Sequence, residues 1–215
     1  MTSVAEAPPG IAVAEGLSLP PIHRISAAEY ERMTQTGVFE PDERIELLQG
    51  MLVRKMAGNP PHGSTIMKLM YLLVVRFQEP WLLRMQSQLA LSGDSVPEPD
   101  LAVVRGALNQ FDTVYPTPSH TALIIEVSES SLRIDLGVKF ALYAAAKIPE
   151  YWVVDLVNGK LHVHTRPRGG KKPGYRSVTT LGSDDEVPLT LRGEAFGAIR
   201  VADFLPPVSN PGVSS

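Results

Sequence analysis

Residues 122–155 read ALIIEVSESSLRIDLGVKFALYAAAKIPEYWVVD. The stretch Ala122–Ser128 is a near-continuous run of Leu, Ile and Val, the pattern of a strand covered on both faces. Glu126 interrupts that run. An ionised carboxylate in such a place costs on the order of several kcal/mol unless a partner or a metal ion compensates. From about Ser131 to Lys147, apolar residues recur at mixed three- and four-residue spacing and predict a helix. Glu150–Leu156, Asn158-Gly159 and Lys160–Thr165 then predict a tight hairpin. On the helix, Asp135, Lys139 and Tyr143 stand at four-residue intervals and share a face.

Upstream, two further acids sit at the edges of apolar segments. Pro99-Asp100-Leu101-Ala102-Val103-Val104 starts a strand with Asp100, and Arg44-Ile45-Glu46-Leu47-Leu48 holds Glu46 among apolar neighbours. If these segments meet the Glu126 strand, three carboxylates converge. Packed like charges drive a proton on or attract a cation, and hard divalent ions take carboxylate oxygens. The plainer account pairs Glu126 with a buried arginine, Arg133 or Arg105. Lys139 has a plain account too, an exposed pair with Asp135 worth about 0.3–0.5 kcal/mol. The apolar bulk of Leu136, Phe140 and Tyr143 argues instead for a lysine directed toward the sheet, where a cation can steady charge on a phosphate.

The rest of the chain supplies an ordinary globular frame. Its 215 residues are 44% hydrophobic and 20% charged, enough for one domain with a substantial core. We expect flexible tails at residues 1–22 and 206–215 around a domain at 23–205. The formal net charge of −3 gives no bulk attraction to polyanions, so nucleic-acid binding would rest on a local patch or on metal ions. With no cysteine, thiolate chemistry and disulfides are excluded. The first residues lack the pattern of a signal peptide, and no apolar run suits a membrane helix, so the cytoplasm is the expected location and no membrane partner is expected.

Ser26-Ala27-Ala28-Glu29 is a capping box opening a helix that closes at Gly37. Ile45, Leu47 and, across Gly50, Met51–Val53 suggest a hairpin. Asn59–Gly63 reads as a loop, followed by a helix from Ser64 to Glu79 with apolar residues almost all round, Met67, Met70 and Tyr71 reading as core. Strands are expected at Leu82–Leu91, Leu101–Val104 and, more weakly, Tyr175–Leu181. The sum is a mixed sheet flanked by helices, hence α/β or α+β.

These residues resemble the Uma-type "putative restriction endonuclease" family of the PD-(D/E)XK nuclease superfamily. The likeness lies in RIELLQGML, PPHGSTI, EPDLAVV, the long run from Leu123 to Asp155, and LHVHTR. It implies an α/β, restriction-endonuclease-like mixed sheet flanked by helices with an added C-terminal β-hairpin region. It also implies hydrolysis of DNA phosphodiester bonds through a water on Mg²⁺ or Mn²⁺. By the same likeness, Asp100 and Glu126 are metal ligands, Val127 lends its backbone carbonyl, and Glu46 completes the site. The superfamily's lysine falls two residues after the Glu, where this chain has Ser128; Lys139, on the following helix, is the candidate replacement.

Candidates for phosphate contact are His62, in the matching loop, and Lys171 and Lys172 within RPRGGKKPGYR. Each has a plainer reading, as a surface histidine and a solvated hairpin tip. Tyr143 reads more as packing than chemistry, and His162 and His164 more as an exposed face than a metal pair. A homodimer would suit cleavage of both strands of a duplex. The displaced lysine and acidic net charge leave open a non-catalytic nucleic-acid-binding or assembly module. A carboxylate-pair glycosidase leaves Lys139 and Glu46 without roles.

Overall fold

The computed structural model describes residues 22–40, 42–55 and 58–206; the expected tails lie outside these residues except for Ile22 and Pro206. Helix α1, Ala27–Gln35, opens with the expected capping box between Ser26 and Glu29. Strands β1, Ile45–Leu48, and β2, Met51–Arg54, pair antiparallel. Gln49 and Gly50, both at positive φ, make the turn, as a two-residue hairpin loop requires. Leu47 bridges to Val96, which ties this hairpin to the rest of the fold.

Helix α2 spans Pro60–Val74 and departs from expectation at both ends. The segment read as a loop is its capped first turn. Asn59 caps it by accepting from the His62 amide, and Pro60 and Pro61 occupy first-turn positions whose missing N–H groups cost nothing. The helix buries Thr65, Ile66, Leu69 and Leu73, while Met67 is 60% and Tyr71 67% exposed. The expectation of near-complete burial was wrong, because only one side of α2 rests on the sheet.

Six strands form the main sheet in the order β3-β4-β5-β6-β7-β8. They are Trp81–Met85, Leu101–Arg105, Thr121–Ser128, Glu150–Asp155, Lys160–Arg168 and Gly174–Leu181. Strand β3 stops at Met85, well short of the expected Leu91, and the next residue, Gln86, has a positive φ. All pairings are antiparallel except β5 with β6. A parallel pair needs a crossover over one face, and here the crossover is the helical segment between Ser131 and Ala146. That segment is not one continuous α-helix. A turn α3, Leu132–Ile134, leads into a five-residue π-helical stretch, Asp135–Lys139, and then α4, Phe140–Ala145.

Strand alternation divides the core. Leu101, Val103, Leu123, Ile125, Val127, Trp152 and Val154 face α2 together with a C-terminal hairpin, β9, Glu186–Leu191, and β10, Glu194–Arg200. Ala102, Val104, Ile124, Tyr151 and Val153 face α4. Full burial of each large aliphatic side chain contributes about 1.5–3 kcal/mol, so both faces of the central strands hold the sheet. The architecture is the expected α/β mixed sheet with an added C-terminal hairpin. Among the described residues, no helix is long and apolar enough to cross a membrane.

Candidate active site

Two-residue alternation puts Glu126 on the face of Ile124, the face that α4 covers. The β4–β5 register pairs Leu101 with Ile125, so its extension by one residue sets Asp100 opposite Glu126. Glu46, from β1, reaches the same place. Its Oε2 accepts from the Glu98 amide at 3.1 Å, and its Oε1 lies 3.0 Å from Lys139 Nζ. All three acids line one pocket, with Lys55, His62, Asp135 and Lys139.

Lys139 answers why Glu126 is tolerated inside the strand. Its ammonium donates to Glu126 Oε1 at 3.0 Å, and both side chains are buried. Tyr143 Oη donates to the same oxygen at 2.8 Å. The arginine pairing is therefore wrong: Arg133 is exposed, and Arg105 lies over the Trp81 ring. The exposed Asp135–Lys139 pair is wrong as well. Asp135 is buried, 3.9 Å from Lys139, and accepts from Ser128 Oγ and Ser131 Oγ at 2.6 Å each. Ser128 thus braces Asp135, a neighbour of Lys139. An α-helix drifts by about 40° over four residues. The wider π stretch offsets that drift, and Asp135, Lys139 and Tyr143 all point into the sheet.

The electrostatics follow from burial and partners. Burial raises the Glu126 carboxyl above the ordinary carboxylate range, against the pull of Lys139 and Lys55. Burial alone would lower the Lys139 ammonium, but Glu126, Glu46 and Asp135 outweigh it and hold the proton on. Burial, followed by Glu126, raises the Tyr143 phenol far above its usual range, so it stays a donor. Asp100 is opposite in character. Burial would raise it, yet His62, Lys55 and the Val127 amide together hold it well below the ordinary carboxylate range.

Asp100 Oδ2 accepts from the Val127 N–H at 2.9 Å and lies 3.4 Å from His62 Nε2, while Oδ1 lies 3.2 Å from Lys55 Nζ. His62 therefore belongs to the site, and the reading of it as a surface residue fails. Lys171 and Lys172 do not: they occupy the turn between β7 and β8 and line no part of this pocket. The paired histidines correct the expected exposed face. His164 is buried, with Nδ1 3.1 Å from the Tyr151 carbonyl, and His162 faces Asp155 and Thr180.

Sequence reasoning missed Lys55 and undervalued Tyr143. A signal for Lys55 existed. The β1–β2 register pairs Glu46 with Val53, and alternation places Lys55 on the same face of the hairpin as Val53.

The donor set suits a hard divalent ion, being carboxylate oxygens from adjacent strands. Both contacts to Glu126 fall on Oε1, while Oε2 accepts no hydrogen bond among the described residues. Val127 turns its N–H toward Asp100, so its carbonyl emerges on the same strand edge. Among the described residues, no three His, Asp or Glu side chains stand close enough to hold an ion together, and ammonium groups occupy the shared oxygens.

An aspartate and a glutamate thus meet within a mixed sheet, beneath a helix-borne lysine, in a fold of the restriction-endonuclease-like kind. Residues 27–199 match the Uma2 family, described as "Putative restriction endonuclease", and the chain belongs to that family. Among solved structures it is similar to "a putative nuclease belonging to DUF820" from Anabaena variabilis, with a TM-score of 0.66 and 14% identity. The likeness covers 84% of this chain and 97% of that one. No curated protein matches it.

Proposed function

We propose that this nuclease-family chain is a divalent-metal-dependent endonuclease that hydrolyses DNA phosphodiester bonds. The observation that carries the reading is the meeting of Asp100 and Glu126 in one pocket, with Lys139 3.0 Å from the glutamate. Asp100 and Glu126 would hold Mg²⁺ or Mn²⁺ with the Val127 carbonyl and waters, and Glu46 would join them only where Lys139 and the Glu98 amide release its oxygens. When bound, the ion would supply Lewis-acid polarisation of the phosphate and acidify a water.

The protein's own groups account for the rest. Asp100, kept ionised by its neighbours, gives a permanent anchor for positive charge. Lys139 keeps its proton and balances Glu46 and Glu126. Tyr143 fixes one oxygen of Glu126 and leaves the other to the pocket. His62 stands beside Asp100 at the first turn of α2, its Nε2 3.4 Å from Asp100 Oδ2. Lys171 and Lys172 would touch the DNA backbone away from the reacting phosphate, in a salt-dependent way. A homodimer would present two such pockets to a duplex.

Plasmid DNA incubated with Mn²⁺ or Mg²⁺ tests the proposal. Nicking by the wild type that Asp100→Ala abolishes is the expected result; equal nicking by both proteins removes the assignment.

One observation favours a second reading, a non-catalytic module that keeps the fold. Lys55 and Lys139 already neutralise the acids without an ion. That module shows no Mg²⁺-dependent rise in Tm, whereas a working site shows one that Glu126→Ala removes.

A further inference from the structure

Lys55 follows directly on β2, and its amide donates to the Arg44 carbonyl at 2.8 Å, continuing the hairpin ladder by one residue. This anchors the backbone and leaves the side chain to cross the pocket. There Nζ donates to the Glu98 carbonyl at 2.6 Å and to Asp100 Oδ1 at 3.2 Å. The side chain is only 12% exposed, although the stem is long and unbranched. Asp100 Oδ2 already accepts from the Val127 amide, so Oδ1 is the oxygen left to face the pocket. The ammonium sits on that oxygen.

We propose that Lys55 is a built-in counter-ion that competes with the divalent cation for Asp100 Oδ1 and thereby sets the affinity of the site. The inference rests on the metal-dependent reading above. Two cations cannot share one carboxylate oxygen without strong repulsion at reduced dielectric. The flexible four-carbon stem lets the ammonium withdraw while its backbone stays in the hairpin. Without an ion, Lys55 relieves the repulsion between Asp100 and Glu126 and keeps the pocket assembled.

Titration calorimetry of the full chain with Mn²⁺ tests this, comparing wild type with Lys55→Met and Lys55→Gln. Loss of the positive charge should tighten Mn²⁺ binding by at least about tenfold, an order-of-magnitude expectation from Coulomb's law. Lys68→Met, which removes an exposed charge of α2 that lines no part of this pocket, should leave the affinity unchanged. Tm readings add a second signature: both Lys55 variants should melt lower than wild type without metal and recover more on adding Mn²⁺. If wild type binds Mn²⁺ and neither Lys55 variant binds more tightly, the competition is wrong while the metal site stands. If no protein in the series binds Mn²⁺, the metal-dependent reading falls and the competition with it. A structure of the wild type with Ca²⁺ bound offers a check that needs no variant. Lys55 Nζ withdrawn from Asp100 Oδ1 supports the inference, and Nζ still in contact overturns it.

Discussion

Lys139 Nζ lies 3.0 Å from Glu126 Oε1, joining a helix formed after β5 to the middle of that strand across a fully buried contact. The same ammonium is 3.0 Å from Glu46, so one cation serves two carboxylates. Removing it leaves both acids buried without a counter-charge. Lys139→Met should therefore cost about 3–5 kcal/mol in urea unfolding. The double variant Lys139→Met with Glu126→Gln should lose clearly less than the sum of the single losses. Additive losses would show that the contact carries no coupling.

Tyr143 is both a packing residue and a donor. Its ring centroid lies 4.9 Å from that of Tyr151, and its hydroxyl holds Glu126 at 2.8 Å. Tyr143→Phe keeps the ring and strands part of the carboxylate. The expected loss is about 1–3 kcal/mol of stability. A neutral result in a denaturant melt would show that the bond contributes nothing.

His164 is buried among Phe140, Tyr151 and Tyr175, and burial lowers its pKa to about 4. The unfolded chain then binds the proton more readily than the folded one between the ordinary value of 6.5 and 4. Stability falls as pH drops through that window, by on the order of 3 kcal/mol at most. His164→Asn, whose amide can still donate to the Tyr151 carbonyl, should flatten the acid limb of a Tm–pH curve.

Glu150 acts in the opposite direction. Burial raises its pKa to about 7 from 4.5, with the Trp152 indole as its opposing partner at 2.6 Å. Here the folded chain holds the proton more firmly. Its contribution is fully present below pH 4.5 and is lost as pH rises toward 7. Glu150→Gln should raise Tm at pH 7.5 and leave it nearly unchanged at pH 4. Because the two windows overlap with opposite signs, each single variant should expose the other residue's slope.

Gly50 closes the β1–β2 turn at φ +74, where an added Cβ would also sit 2.6 Å from Arg24 Cβ. Gly50→Ala should destabilise by about 1–3 kcal/mol. It should also loosen Glu46, which the hairpin carries to Lys139. A urea melt gives the first effect, and hydrogen exchange at the Glu98 amide, bonded to Glu46, gives the second.

Local patterns carried much of the architecture. The capping box at Ser26, the Gln49-Gly50 turn, the Glu126 strand and the Asn158-Gly159 hairpin are specified by residues near one another in the chain. The near-continuous apolar runs of β4 and β5 marked Asp100 and Glu126 as acids out of place. Errors came where a distant surface decides. Pattern alone gives the apolar character of α2, whereas only the sheet beneath it determines that Leu69 is buried and Met67 is not.

The site divides in the same way. Sequence by itself determined which acids needed explaining, because a charge inside an apolar strand is a local anomaly with a local cost. Tertiary structure decided what answers that charge. The β4–β5 register, the π stretch ahead of α4 and the hairpin ending at Lys55 bring together side chains whose positions no short-range spacing encodes. Electrostatic compensation acts through space over a few ångströms, so the partners of Glu126 and Asp100 emerge only once the chain has closed around them.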